Sequence, residues 1–151
     1  MKILIAEDDS TTRLLLTTLL QKEGYDVLAT NDGSQAMMEF RKPNAPGLAI
    51  LDWEMPNMDG IEVSRRVRER GDPAYLLIVT SRSQKENVVA GLKSGADDYI
   101  TKPFDHEELL MRVKVGERIV NLQLALTAQV GDTKKALEEL RALKGEFNIP
   151  I

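Results

Sequence analysis

Short apolar runs rich in β-branched residues recur along the chain at positions 3–6, 25–29, 48–51, 75–80 and 98–101. Each is the length of a strand. Between them lie longer stretches in which apolar residues return every three or four positions. The first, 11–22, places Leu14, Leu15, Leu16, Leu19 and Leu20 on a helical period and stops at Gly24; 34–41 stops at Pro43, 60–70 at Gly71 and 84–93 at Gly95. Strands alternating with helices predict βαβ units. The fold class is therefore α/β: a five-stranded parallel sheet, doubly wound as (βα)5, with its last unit ending near residue 120.

That architecture directs attention to the residues that end each strand, because ligands of open parallel sheets sit beyond the carboxyl ends of the strands, where strand order reverses. The first run ends in Glu7, Asp8 and Asp9, the third in Asp52, the fourth in Thr80 and Ser81, and the fifth in Thr101, Lys102 and Pro103. Carboxylates brought together repel one another, so either their pKa values rise or a cation joins them. Mg2+ is a hard ion that takes carboxylate oxygens and keeps several waters, which suits Glu7, Asp8 and Asp52 with a loop carbonyl. An ionised Asp beside Mg2+ and a lysine can attack phosphorus, with Thr80 hydrogen-bonding a phosphoryl oxygen. The product would be an acyl phosphate on Asp52.

Composition removes several alternatives. The chain has 151 residues, no cysteine and a formal net charge of -4. Disulfides and thiolate metal sites are excluded, and no broad basic footprint for nucleic acid is present. The opening MKILIAEDDS meets three acids too soon to be a signal peptide or a membrane span.

These residues resemble a known family, the receiver domains of two-component response regulators. "ILIAEDD" is similar to the family's first-strand acidic motif, "LDWEMPNMDG" to its phosphoacceptor loop, "IVTS" to its switch strand and "GADDYITKPF" to its fifth strand and lysine. Four motifs in order are far more specific than any one. The resemblance implies a flavodoxin-like receiver domain over residues 1–119, lying in the cytoplasm. Asp52 would accept the phosphoryl group from a histidine kinase or phosphotransfer protein, or from small donors, and later lose it by self-hydrolysis. Asp8, Glu7, Asp52 and the backbone carbonyl of Glu54 would hold Mg2+, and Thr80 and Lys102 would contact the phosphoryl oxygens. Lys102-Pro103 would be cis, and Tyr99 would be the switch aromatic, entering space that Thr80 vacates. The face formed by the fourth helix, fifth strand and fifth helix, with Lys93, Asp97, Glu107, Glu108 and Arg112, would then change its surface and pair across a twofold axis. Glu54 and Arg82 flank the site and would control access of the attacking water.

Plainer readings stand beside these. Asp8 and Asp9 can simply cap the helix that begins near Thr11, Thr80 can be an ordinary strand residue, and Tyr99 a half-buried aromatic with no signalling role. Trp53 reads as a surface or partner-contact residue and His106 as a bystander. At the level of the whole protein, three alternatives remain: a pseudo-receiver used only for dimerisation, a Mg2+-dependent phosphatase with an Asp nucleophile, and a flavodoxin-like cofactor binder. The phosphatase lacks an evident substrate cap, and three acids after the first strand would repel a cofactor phosphate.

Residues 120–151 continue without a strand pattern. Val115, Ile119, Leu122, Leu126, Gln129, Thr133, Ala136, Leu140, Leu143 and Phe147 follow alternating steps of three and four, a heptad seam with a polar interruption at Gln129 and Thr133. This segment is similar to the helical linkers that join receivers to output modules, and predicts a coiled-coil homodimer. The alternative is a helix that folds back or frays after Gly131. The ending "FNIPI", with no output module visible, suggests a piece of a longer protein; the alternative is a stand-alone receiver that acts through partner binding.

Overall fold

The computed structural model describes residues 1–146. Five strands, β1 (Lys2–Ala6), β2 (Asp26–Thr30), β3 (Leu48–Asp52), β4 (Tyr75–Thr80) and β5 (Asp98–Thr101), alternate with α1 (Ser10–Lys22), α2 (Gly33–Phe40), α3 (Gly60–Glu69), α4 (Lys85–Lys93) and α5 (His106–Glu146). All strand pairings are parallel, in the order β2-β1-β3-β4-β5. This is the expected doubly wound, flavodoxin-like (βα)5 fold, with element boundaries within two residues of those predicted for the first nine elements. The chain goes outward from β1 to β2, then crosses back to β3, so the reversal falls between β1 and β3.

Why these runs become central strands is visible in their burial. Every residue of β3 and β4 is buried, so the sequence cannot alternate apolar with polar and reads instead as a solid apolar run. The period-two alternation survives as a choice between two cores. Leu4, Ala49, Leu51, Leu76 and Ile78 pack with Met37 and Phe40 of α2 and Val63 and Val67 of α3. Their neighbours Ile3, Ile5, Leu48, Ile50, Leu77 and Val79 pack with Leu16 and Leu20 of α1 and Leu109 and Val113 of α5. Helix starts are fixed locally. Asp9, Asp32 and Asp59 each accept a hydrogen bond from the backbone N–H three residues on, at 2.9, 2.9 and 2.8 Å, which satisfies donors that a helix N-terminus otherwise leaves unpaired. Helix α4 differs: Gln84 at its start makes no side-chain cap, and Gly91 is its only buried residue.

The chain divides into two compact units, Met1–Val120 and the residues from Asn121 onward. Helix α5 runs unbroken past Gly131 to Glu146, rather than folding back at the glycine. Phe147, the last position of the predicted seam, lies outside the described residues. Among the described residues, no helix is long and apolar enough to cross a membrane.

Candidate functional site

Parallel register alone brings the predicted residues level with one another. Ala6 pairs with Leu51, so the residues that follow, Glu7 and Asp52, stand side by side; Asp52 pairs with Val79, which precedes Thr80; Thr80 pairs with Thr101, which precedes Lys102. The result is a cleft of about 330 Å³ lined by Glu7, Asp8, Asp9, Asp52, Glu54, Thr80, Ser81 and Lys102. Carboxylate oxygens of Glu7, Asp8 and Asp52 all lie within 4.8 Å of one another. Glu7, Asp52 and Thr80 are buried, Asp8 is exposed at the rim, and Lys102 is intermediate. Lys102 Nζ donates to Glu7 Oε1 at 2.6 Å and lies 3.4 Å from Asp52 Oδ1. The Lys102-Pro103 peptide is cis.

Three carboxylates face one ammonium here, and the imbalance shows in their acidities. Burial, followed by the neighbouring Glu7 carboxylate, pushes the Asp52 carboxyl up to about 8, with Lys102 pulling only partly the other way. Burial also acts to raise Glu7, but its hydrogen bonds to Asp52 and Lys102 prevail, and its carboxyl lies below the usual value. Without a cation, the two neighbouring carboxyls therefore resist ionising together. Lys102, although partly desolvated, is raised by its hydrogen bond to Glu7 and by the charge of Asp52, and stays protonated. An all-oxygen donor set with residual negative charge fits a hard divalent cation such as Mg2+.

Asp9 turns away from the cleft's chemistry. It is exposed and accepts from both the backbone N–H and the hydroxyl of Thr12, at 2.9 and 2.6 Å; it caps α1, as the plainer reading had it. His106 is exposed at the start of α5, with its ring 6.1 Å from that of Phe104.

Trp53 corrects the sequence reading. It is 8% exposed and belongs to the α2–α3 core, because the residue after a central-strand end still lies under the loops that follow. Its ring meets the edge of Tyr99 at 6.2 Å and 88°, and the Arg82 guanidinium sits 4.6 Å above it. Arg82 Nε also donates to Glu54 Oε1 at 2.6 Å, joining the loops after β3 and β4. Tyr99 is set apart from the acidic cluster, its hydroxyl donating to the Arg82 carbonyl at 2.6 Å. Sequence reasoning placed Glu54, Arg82 and Tyr99 individually but missed that Arg82 joins the other two and that Trp53 packs against both Arg82 and Tyr99. On the neighbouring face, Asp97 is engaged internally, pairing with Arg68 at 2.6 Å and accepting from the Leu76 N–H at 2.9 Å. Arg112 lies 3.4 Å from Asp98.

The Tyr99 ring is seated against Gly91, where an added Cβ would come within 2.8 and 2.9 Å of its Cδ2 and Cε2. Gly91→Ala should regain about 0.5–1 kcal/mol of helix propensity but cost about 1–3 kcal/mol in overpacking. The expected outcome is a net loss of roughly 1 kcal/mol in thermal unfolding, with a shift in the emission of Trp53, the single tryptophan. Unchanged emission would mean that Tyr99 has not moved.

Comparison with known proteins adds the following. The family model described as the response regulator receiver domain matches residues 3–114. The chain is 43% identical over 114 residues to the response regulator MprA of Mycobacterium leprae, covering 76% of this chain and 50% of that protein. It is 39% identical over 134 residues to the DNA-binding response regulator MtrA of Mycolicibacterium smegmatis, covering 88% and 58% respectively. The chain thus spans about half the length of the curated relatives it matches. Its fold is similar to that of the receiver domain of the Francisella response regulator 1452, with a TM-score of 0.71 and 34% identity over 76% of this chain and 93% of the other.

Proposed function

Given that the chain belongs to the response regulator receiver domain family, we propose that it takes a phosphoryl group from a histidine kinase, or from a small phosphodonor, onto Asp52. The observation that supports this most directly is the alignment of Glu7, Asp52, Thr80 and Lys102 by strand register around one acidic cleft. In the transfer, an oxygen of the ionised Asp52 carboxylate forms the new bond to phosphorus as the bond to the donor nitrogen or oxygen breaks, leaving an acyl phosphate. Lys102, already within reach of Asp52, neutralises charge on the transferring oxygens, and the Thr80 hydroxyl donates to one of them. Glu7, Asp8, Asp52 and the Glu54 carbonyl would hold Mg2+, which supplies charge neutralisation at the phosphoryl group.

Readout would follow from the move of Thr80 toward the new phosphoryl group and of Tyr99 into the space behind it. Tyr99 would exchange its bond to the Arg82 carbonyl for that inward position and change the α4-β5-α5 face. Helix α4, without a side-chain cap and with Gly91 as its only buried residue, is suited to such a shift. The chain would act in the cytoplasm, as a receiver over residues 1–119 with a helical, dimerising linker over 120–151. Phosphorylation would control an output or partner rather than turn over a substrate.

The test is the intact mass after incubation with Mg2+ and a small phosphodonor. A gain of one phosphoryl group is expected, dependent on Mg2+ and lost in Asp52→Asn. Folded, metal-binding protein that gains nothing from either the small donor or a panel of kinases would leave the pseudo-receiver as the better account.

A further inference from the structure

Trp53 follows Asp52 at the end of β3 and is held at both ends of its backbone. Its N–H donates to the Val79 carbonyl at 3.3 Å, and its carbonyl accepts from the Gly60 N–H at 2.9 Å. The ring belongs to the buried α2–α3 core, so it offers a fixed face rather than a side chain free to adjust. The Arg82 guanidinium lies over that face, 4.6 Å from the ring centroid.

The side chains of Arg82 and Glu54 are 43% and 60% exposed, and their 2.6 Å contact crosses from the loop after β4 to the loop after β3. An exposed pair of this kind holds its geometry weakly, because water screens the attraction and two long side chains lose freedom to make it. A guanidinium is planar, however, and can stack on an aromatic face while donating in its own plane. The stack on a buried ring thus supplies the order that the ion pair alone lacks.

The consequence falls on Glu54. It lines the acidic cleft with Glu7, Asp8, Asp52 and Lys102, while Arg82 stands outside that lining. Pairing with Arg82 therefore draws the Glu54 carboxylate to the outer wall and offsets its charge. Released, the same carboxylate would be a further acid facing the cleft, favouring a cation there and opposing an anion.

We propose that Trp53 is a positioning residue for phosphodonor entry: by stacking Arg82 it keeps Glu54 paired and its charge out of the path of an anionic donor. This rests on the reading of Asp52 as the phosphoacceptor.

The experiment compares Trp53→Leu and Arg82→Met, each alone and combined with Glu54→Gln, at a temperature where every variant is folded. Arg82→Met carries the same expectation as Trp53→Leu without touching the core, and it leaves in place Tyr99, which meets the edge of the same ring. Both should slow the mass gain from acetyl phosphate about three- to tenfold, with less effect on phosphoramidate, a donor of lower net charge, and with the effect shrinking in about 0.5 M salt. The affinity for Mg2+ alone, by calorimetry, should move the other way and tighten about three- to fivefold. With Glu54→Gln in the background, neither substitution should change either quantity by more than about 1.5-fold. Trp53→Phe, which keeps an aromatic face, should recover most of the loss. Uptake and Mg2+ affinity falling together, equal effects with and without Glu54→Gln, or an effect of Trp53→Leu that Arg82→Met does not share would each overturn the proposal. Protein that gains no phosphoryl group from any donor would fail the Asp52 reading instead, and the Mg2+ titrations would still decide the role of Trp53.

Discussion

Lys102→Ala is expected to slow phosphoryl uptake about 100- to 1000-fold, the range seen when one donor to a developing oxyanion is removed. The lysine has two jobs at once. Its ammonium lies 2.6 Å from Glu7 and 3.4 Å from Asp52, so it offsets the buried carboxylates at rest and, in the proposed transfer, would meet the charge that arrives with phosphorus. The resting role limits the damage to stability, since a carboxyl pair deprived of its ammonium can take up a further proton rather than stay fully charged. The variant should therefore fold, and its defect should appear in the rate at which the mass rises with a small donor under saturating Mg2+. Uptake within about threefold of wild type would remove Lys102 from the transfer step.

The second large effect concerns Mg2+ and pH. Asp52 must be ionised to ligate the cation, but in the absence of a cation burial and Glu7 push its carboxyl up to about 8. A proton therefore competes with the metal. Below that value affinity should fall about tenfold for each unit of pH, so that calorimetric titrations at pH 6 and pH 8 differ by up to roughly 100-fold, with about one proton released per ion bound at the lower pH. The sign follows from the direction of the shift: a carboxyl raised above its unfolded value favours the metal-free folded state at low pH and loses that contribution as pH rises through about 8. Asp52→Asn, which has no proton to lose at this position, should abolish most of the pH dependence. An affinity flat from pH 6 to pH 8 would mean that Asp52 is already ionised before the metal arrives.

Much of this was legible in the residues themselves. The solid apolar runs at 48–51 and 75–80 located the central strands, and the acids, threonine and lysine that end the runs marked the cleft, because register in a parallel sheet is close to a fixed property of the strand ends. What escaped the sequence depends on contacts between distant elements. A tryptophan after a strand end has no local signal for whether a loop covers it, and Trp53 is covered by Arg82 and edged by Tyr99. Gly91 looks like any mid-helix glycine until the Tyr99 ring is seen against it. The segment after residue 120 was read as a heptad seam, with folding back or fraying after Gly131 as the alternative, because a glycine's local cost does not tell whether a helix continues through it; here it does.

The ion pair that closes the cleft joins Glu7 to Lys102, partners 95 positions apart in the chain. Between them lie all four crossovers of the sheet, and β3, which carries Asp52, must find neighbours on both sides before the cleft has a floor. Closing so long a loop is entropically slow and is repaid only when the intervening strands are already in place. The completed cleft is thus expected late in folding. A partly folded chain would present the carboxylates without their lysine.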